Sequence, residues 1–197
     1  MNTAKKTSLH TLTRILSAIA GLAMFSTIFL PIWKIELSAP QYPEGLEMYI
    51  FSDHIGGEVD IINGLNHYIG MRTIHEDDFA EFQILPYVLG LLAIFGLLTA
   101  IINRKWFFYL WCAFFVAFVA VLGVDFYFWL YNYGHNLDPT APIQVPGMTY
   151  QPPLIGFKQL LNFGAYSIPA SGGWVMAVVG ATLAFLVGFE IKSKKTI

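Results

Sequence analysis

Residues 84–131 decide the fold. Ile84 to Ile102 reads ILPYVLGLLAIFGLLTAII, the turn Asn103-Arg104-Lys105-Trp106 follows, and Phe107 to Tyr131 reads FFYLWCAFFVAFVAVLGVDFYFWLY. A bilayer core about 30 Å thick needs about 20 apolar residues of helix. The first stretch reaches that length with no charge, and the second does so with one, Asp125. Two similar stretches lie outside this hairpin: Thr13 to Trp33, charged only at Arg14, and Ala170 to Ile191, with Glu190 at its end. The expected fold is therefore an all-α integral membrane protein with four transmembrane helices, spans 13–33, 84–102, 107–131 and 170–191. Two long outer loops, 34–83 and 132–169, are expected to form a small mixed cap.

The whole chain agrees with a membrane setting. Of its 197 residues 56% are apolar and 12% charged, about half the charged share of a soluble domain. Mean hydropathy is +0.57. A soluble fold of this size could not hide that much apolar surface. The composition excludes a disordered chain and a cytosolic enzyme domain. With net charge −2 and no basic run before the last residues, it also excludes a nucleic-acid partner. The single Cys112 excludes an intrachain disulfide and a multi-cysteine metal site.

Flanking charge sets the expected orientation. Lys5, Lys6, Arg14, Arg104, Lys105, Lys192, Lys194 and Lys195 fall on one side, against Lys34, Arg72 and Lys158 on the other. Both termini should face the cytoplasm, in a multi-pass protein of the cytoplasmic (inner) membrane. The first apolar stretch is longer than the 7–15 residues of a cleaved signal, and Pro40 after Ser38-Ala39 disfavours cleavage, so it is expected to stay. All acidic residues except Asp125 and Glu190 lie in the outer loops. Gly180-x-x-x-Ala184-x-x-x-Gly188 is a small-residue ridge expected to mark where the fourth span meets a neighbour, inside this chain or in a membrane partner. No span holds a histidine, which excludes a bis-histidine haem between helices. No pair of spans is broken in a repeated way, which weakens a transporter reading.

In the first outer loop, Ile35 to Ala39 alternates like a short strand. The Pro40 to Gly45 turn follows, then a β-prone run from Leu46 to Ser52. Gly56-Gly57 is expected to turn the chain into a hairpin returning through Val59 and Ile61. The second loop is proline-rich, and Leu154 to Ala165 reads as a short interfacial helix. Four histidines (His54, His67, His75, His135) and three methionines (Met48, Met71, Met148) lie in the outer segments. His67-x-x-x-Met71-x-x-x-His75 would share one face of a helix. Imidazole with thioether suits copper, above all Cu(I), so His67, Met71 and His75 are the candidate metal ligands. Gly64 and Gly70 count against an unbroken helix there, and Met71 could equally fill a small core. Asp125, near the outer interface, is a candidate functional acid, alone or paired with His135. The acids Glu76, Asp77, Asp78 and Glu81 fit the start of the second span, where a helix N-terminus favours carboxylates.

Two motifs carry a resemblance. Ala39-Pro40-Gln41-Tyr42-Pro43-Glu44-Gly45-Leu46 and Ile62-Asn63-Gly64-Leu65-Asn66-His67-Tyr68-Ile69-Gly70-Met71 resemble the small four-span membrane accessory proteins encoded beside nitrous oxide reductase genes of the Sec-exported (clade II) class. The resemblance covers the topology and the first loop. It implies an accessory role in nitrous oxide respiration (denitrification), with copper delivery or maturation, or electron supply, as the job. It also implies a periplasmic copper enzyme as partner and points to His67 and Met71 as copper ligands, while the acidic outer face by itself suits a cationic partner such as a basic cytochrome c. Two other readings stand beside it: a non-catalytic subunit or assembly factor of a respiratory membrane complex without a metal, and a membrane enzyme or quinol-interacting protein using Asp125 with His135. No nucleophile with its base is evident, so no enzyme activity is expected.

Overall fold

The computed structural model describes residues 7–193. Lys5, Lys6, Lys194 and Lys195, which weigh in the orientation count, lie outside the described residues. The fold is mixed α/β rather than all-α. The described helices are α1 (Thr11–Ser26), α2 (Val59–Ile69), α3 (Leu85–Ile102), α4 (Lys105–His135) and α5 (Ser171–Lys192). Two short 3₁₀ turns precede α3. The strands β1 (Trp33–Ala39), β2 (Tyr42–Ile50), β3 (Ile55–Gly57), β4 (Gly156–Leu160) and β5 (Phe163–Pro169) form one antiparallel sheet in the order β3-β2-β1-β5-β4.

Among the described residues three helices, α3, α4 and α5, are long and apolar enough to cross a bilayer, as befits a membrane protein. The four-span expectation is corrected at α1. That helix has 16 residues, about 24 Å at 1.5 Å per residue, and ends seven residues before Trp33. Its last turn is closed by hydroxyls: Ser26 Oγ donates to Ala23 O (2.7 Å) and Thr27 Oγ1 to Met24 O (2.6 Å). Beyond Pro31 the chain enters β1. Leu30 to Trp33 is apolar in either conformation, and hydrophobicity alone does not separate helix from strand.

α1 lies along α3 at backbone distance. A Cβ on Gly21 would stand 2.8 Å from Ala93 O and 2.9 Å from Leu97 N, and one on Gly96 would stand 2.7 Å from Gly21 Cα and 2.8 Å from the Trp111 ring. Such close approach matters in a bilayer, where apolar burial drives helix association little and packing carries it. The Gly180/Ala184/Gly188 ridge makes no comparable seam. Gly180 faces the Phe115 ring, Ala184 is exposed, and Gly188 has open space around it. α5 instead buries Met176, Val179, Leu183, Leu186 and Glu190.

The described chain ends meet at one end of the bundle. Leu9 N–H donates to Asn103 Oδ1 (3.0 Å), Arg104 Nη1 to Thr7 Oγ1 (2.8 Å), and Arg14 Nε to Ala100 O (2.9 Å). Asn103 takes the left-handed conformation (φ 54°) that ends α3, a position asparagine tolerates. The fully buried Glu190 joins three helices there. It lies 2.8 Å from Lys105 Nζ on α4 and accepts from Thr13 Oγ1 (2.6 Å) and His10 N–H (2.9 Å) at the start of α1.

At 31 residues, α4 is about 46 Å long, longer than a bilayer core needs. Its last turns rise past the bundle and support the sheet. Leu130 and Tyr133 pack with Ile35, Leu46, Met48, Ile62 and Ile74 into the cap core. Each such aliphatic contributes about 1.5–3 kcal/mol on burial. At Gly134 a Cβ would sit 2.3 Å from Gln151 N and Cα, so only glycine lets residues 150–153 cross the helix end. The two loops share the sheet through the β1–β5 pairing, Ile35 opposite Ser167 and Leu37 opposite Ala165.

Two local expectations are corrected. Val59 and Ile61 lie in α2, not in a return strand. β3 pairs with β2 over three residues, and Gly57, with φ +93°, turns the chain away. Leu154 to Ala165 is no helix. It forms the β4–β5 hairpin, with Leu161 at φ 55° in the turn, because β1 offers a free edge on which Ala165 and Leu160 become buried.

Candidate functional site

Two cavities adjoin the cap. The first, about 70 Å³, lies between the sheet and α2 and α4. Its lining brings together Met48 from β2, Met71 after α2, Asn66, Leu130, Tyr133 and Tyr150. Met48 and Tyr150 are almost fully buried, and the Tyr150 hydroxyl has no partner among the described residues. Met148 packs against the same cluster of Ile69, Tyr150, Leu160 and Ala165 that Met71 touches. The second is a lateral cleft of about 470 Å³ beneath the sheet, between α4 and α5, with residues 79–85 before and at the start of α3 along its edge. Its lining is apolar except for Asp125 and Glu81.

The second sequence motif has clear structural work. Ile62 is core, and Asn63 clamps Ile74, donating from Nδ2 to its carbonyl (3.0 Å) and accepting its N–H at Oδ1 (2.7 Å). Gly70 ends α2 with φ +81°. A Cβ there would meet Asp138 O at 2.9 Å, and Gly70 O accepts from Asp138 N–H at 2.8 Å. The helix therefore stops between His67 and Met71, and the four-residue spacing does not set His67, Met71 and His75 on one face. His67 is exposed, its ring 6.1 Å from that of Tyr68. His75 is exposed and shares a 2.9 Å hydrogen bond with Thr73 Oγ1. Met71 turns inward to the cavity. Among the described residues no three or more His, Cys, Asp or Glu side chains gather as a metal site. Two thioether residues, Met48 and Met71, line the cavity instead, and thioether is the donor that suits Cu(I) rather than Zn²⁺ or hard cations.

Asp125 and His135 do not form a pair. Both lie on the continuous helix α4, ten residues or about 15 Å apart along its axis. His135 Nδ1 is bonded to Tyr131 O (2.9 Å), and its ring stacks on Tyr131 at 3.9 Å. Arg72 lies over the Tyr133 ring, 5.1 Å from its centre, rather than on Asp125. The acids before α3 do not cap it through side chains, and Glu76 instead accepts the Ile55 N–H (3.0 Å). His54 pairs with Asp53 (2.7 Å) and stacks on Phe51.

The outer face of the sheet carries a small charged network. Lys34 is bonded to Glu36 and lies 3.4 Å from Glu47, which also accepts from Tyr49 Oη. The Glu36 bond raises the Lys34 pKa, and the Tyr49 hydroxyl lowers that of Glu47. A depressed carboxyl contributes stability above its ordinary value and loses it as pH falls through the folded value. These side chains are partly exposed, so screening holds the effect to at most about 1 kcal/mol. Thermal midpoints measured between about pH 7 and pH 3 should fall less steeply in Glu47→Gln than in the parent. An identical slope would show that Glu47 carries none of the acid sensitivity.

Comparison with protein-family models, with curated proteins and with solved structures gave no match. The functional reading rests on the chain's own residues. Sequence reasoning missed Met48 and Tyr150 as neighbours of Met71. The inward alternation of Leu46, Met48 and Ile50 on β2 was a signal for Met48's burial, but none existed for its meeting with a residue 23 positions on.

Proposed function

We propose that the chain is a non-catalytic membrane accessory protein that holds Cu(I) in the thioether-lined cavity of its cap, serving an extracytoplasmic copper-dependent respiratory enzyme such as nitrous oxide reductase. The observation that carries this reading is the convergence of Met48 and Met71 on one cavity, beside the buried Tyr150 hydroxyl. The two thioethers would hold the ion, and the surrounding apolar core would shield it from water and oxidants. The basic end of the bundle, with Arg14, Arg104, Lys105 and Lys192, faces the cytoplasm of the inner membrane by the positive-inside rule. The cap then stands on the side where the copper enzyme works, and its acidic loops suit a basic partner such as a cytochrome c.

Copper content after Cu(I) loading under reductant and desalting tests the proposal. Near one copper per chain is expected in the parent and in His67→Ala/His75→Ala, with loss in Met48→Leu/Met71→Leu, an exchange of similar volume that cores tolerate. Retention in the methionine variant, or loss in the histidine variant, would move the site to the exposed histidines. No copper in any of them would reject the metal. It would leave the subunit or assembly-factor reading, which is favoured by the exposed Phe157 and Tyr166 on the open face of the sheet.

A further inference from the structure

The lateral cleft is as deep as one leaflet. Its lining runs along α4 from Phe115 to Trp129, about 21 Å, and the part from Phe115 up to Asp125, about 15 Å, matches half of a hydrocarbon core about 30 Å thick. At its volume of about 470 Å³ it lies within the range of small-molecule sites, about 300–1,000 Å³. α5 makes the room, since Gly173, Ala177 and Gly180 line that wall. The polar groups gather at the cap end. Asp125 and Glu81 both line it, and no Lys, Arg or His does so among the described residues. Trp129 also lines it there.

We infer that this cleft holds the acyl chain of an amine-headed phospholipid from the cap-side leaflet. The chain fills the apolar depth. The ammonium sits against Asp125 and Glu81. An anionic headgroup would meet two carboxylates and no cation, and a plain hydrocarbon would leave both carboxylates without a counter-charge.

Trp33 and Trp129 both line the cleft, so tryptophan quenching reads its occupancy once the two exposed tryptophans are removed in a Trp106→Phe/Trp174→Phe background. The full chain is reconstituted into phosphatidylglycerol vesicles carrying acyl-brominated phosphatidylethanolamine or acyl-brominated phosphatidylglycerol at equal low mole fraction. The amine lipid should quench with about fivefold lower half-effect concentration, the size of one partly screened ion pair. Asp125→Asn/Glu81→Gln should bring the two lipids level without loss of fold, because both side chains are exposed. Ala177→Phe, which narrows the cleft, should weaken quenching by both, with its thermal midpoint checked against the parent. Equal quenching by the two lipids in the parent, or a preference for the anionic lipid, would overturn the inference. So would quenching in Ala177→Phe equal to that of the parent, which would mean only bulk lipid reaches these rings.

Discussion

Glu190→Ala should lower the stability of the detergent-solubilised protein by about 3–5 kcal/mol, the range seen when one partner of a buried ion pair is removed. The carboxylate is inaccessible and Lys105 nearly so. Removing it strands the ammonium and takes the acceptor from Thr13 Oγ1 and His10 N–H. Three helices then lose their common tie at once. Glu190→Gln keeps an acceptor oxygen for the two donors and loses only the charge, so it should fall between parent and Ala. Glu190→Ala/Lys105→Met removes both charges and should recover part of the loss. The recovery stays incomplete because the two α1 donors remain unpaired, at about 1–3 kcal/mol per buried group. Thermal midpoints of the four proteins decide the matter. A single Ala variant that melts with the parent would show that the end of the bundle is wet and the pair screened.

The second large effect is expected at the α1–α3 seam. Gly21→Val and Gly96→Val should each cost more than the 1–3 kcal/mol typical of overpacking. The atoms in the way are Ala93 O, Leu97 N and Gly21 Cα, which are backbone and cannot swing aside as a side-chain end can. At Gly96 the substitution also strikes the fully buried Trp111 ring, which links the seam to α4. Gly188→Ala is the control. It meets nothing within 4 Å and should be neutral or gain up to about 1 kcal/mol of helix propensity. Equal melting of all three variants would show that α1 does not lie against α3 at this distance.

Glu190 stood in the sequence as a charge at the end of an apolar stretch, and nothing local marked its partners, which are 85 and about 180 positions away. Gly21 and Gly96 were visible as small residues in apolar helices, but so was the Gly180/Ala184/Gly188 ridge, and composition could not say which small stripe forms a seam. The candidate site shows the same division. Gly70 was visible as a threat to the His67–Met71–His75 helix, and it does end α2. That Met71 then turns in beside Met48 follows from the clamp of Asn63 on Ile74 and the crossing of the second loop at Gly70, which are long-range contacts.

By itself the sequence determined the membrane setting, the three long helices, the hairpin around Asn103, the first strand and turn of the cap, and the basic and acidic ends. Each of these follows from local composition or a short period: about 20 apolar residues, alternation, a proline at the turn (Pro40-Gln41), a charge run. Only the tertiary structure decided that α1 stops at Ser26, that Leu154 to Ala165 pairs on β1 as a hairpin, that α4 runs on as the support of the cap, and that Asp125 and His135 stand about 15 Å apart. The reason is physical. An apolar segment gains burial equally as helix or strand, and the choice falls to whichever neighbour supplies the backbone partners, here the free edge of β1.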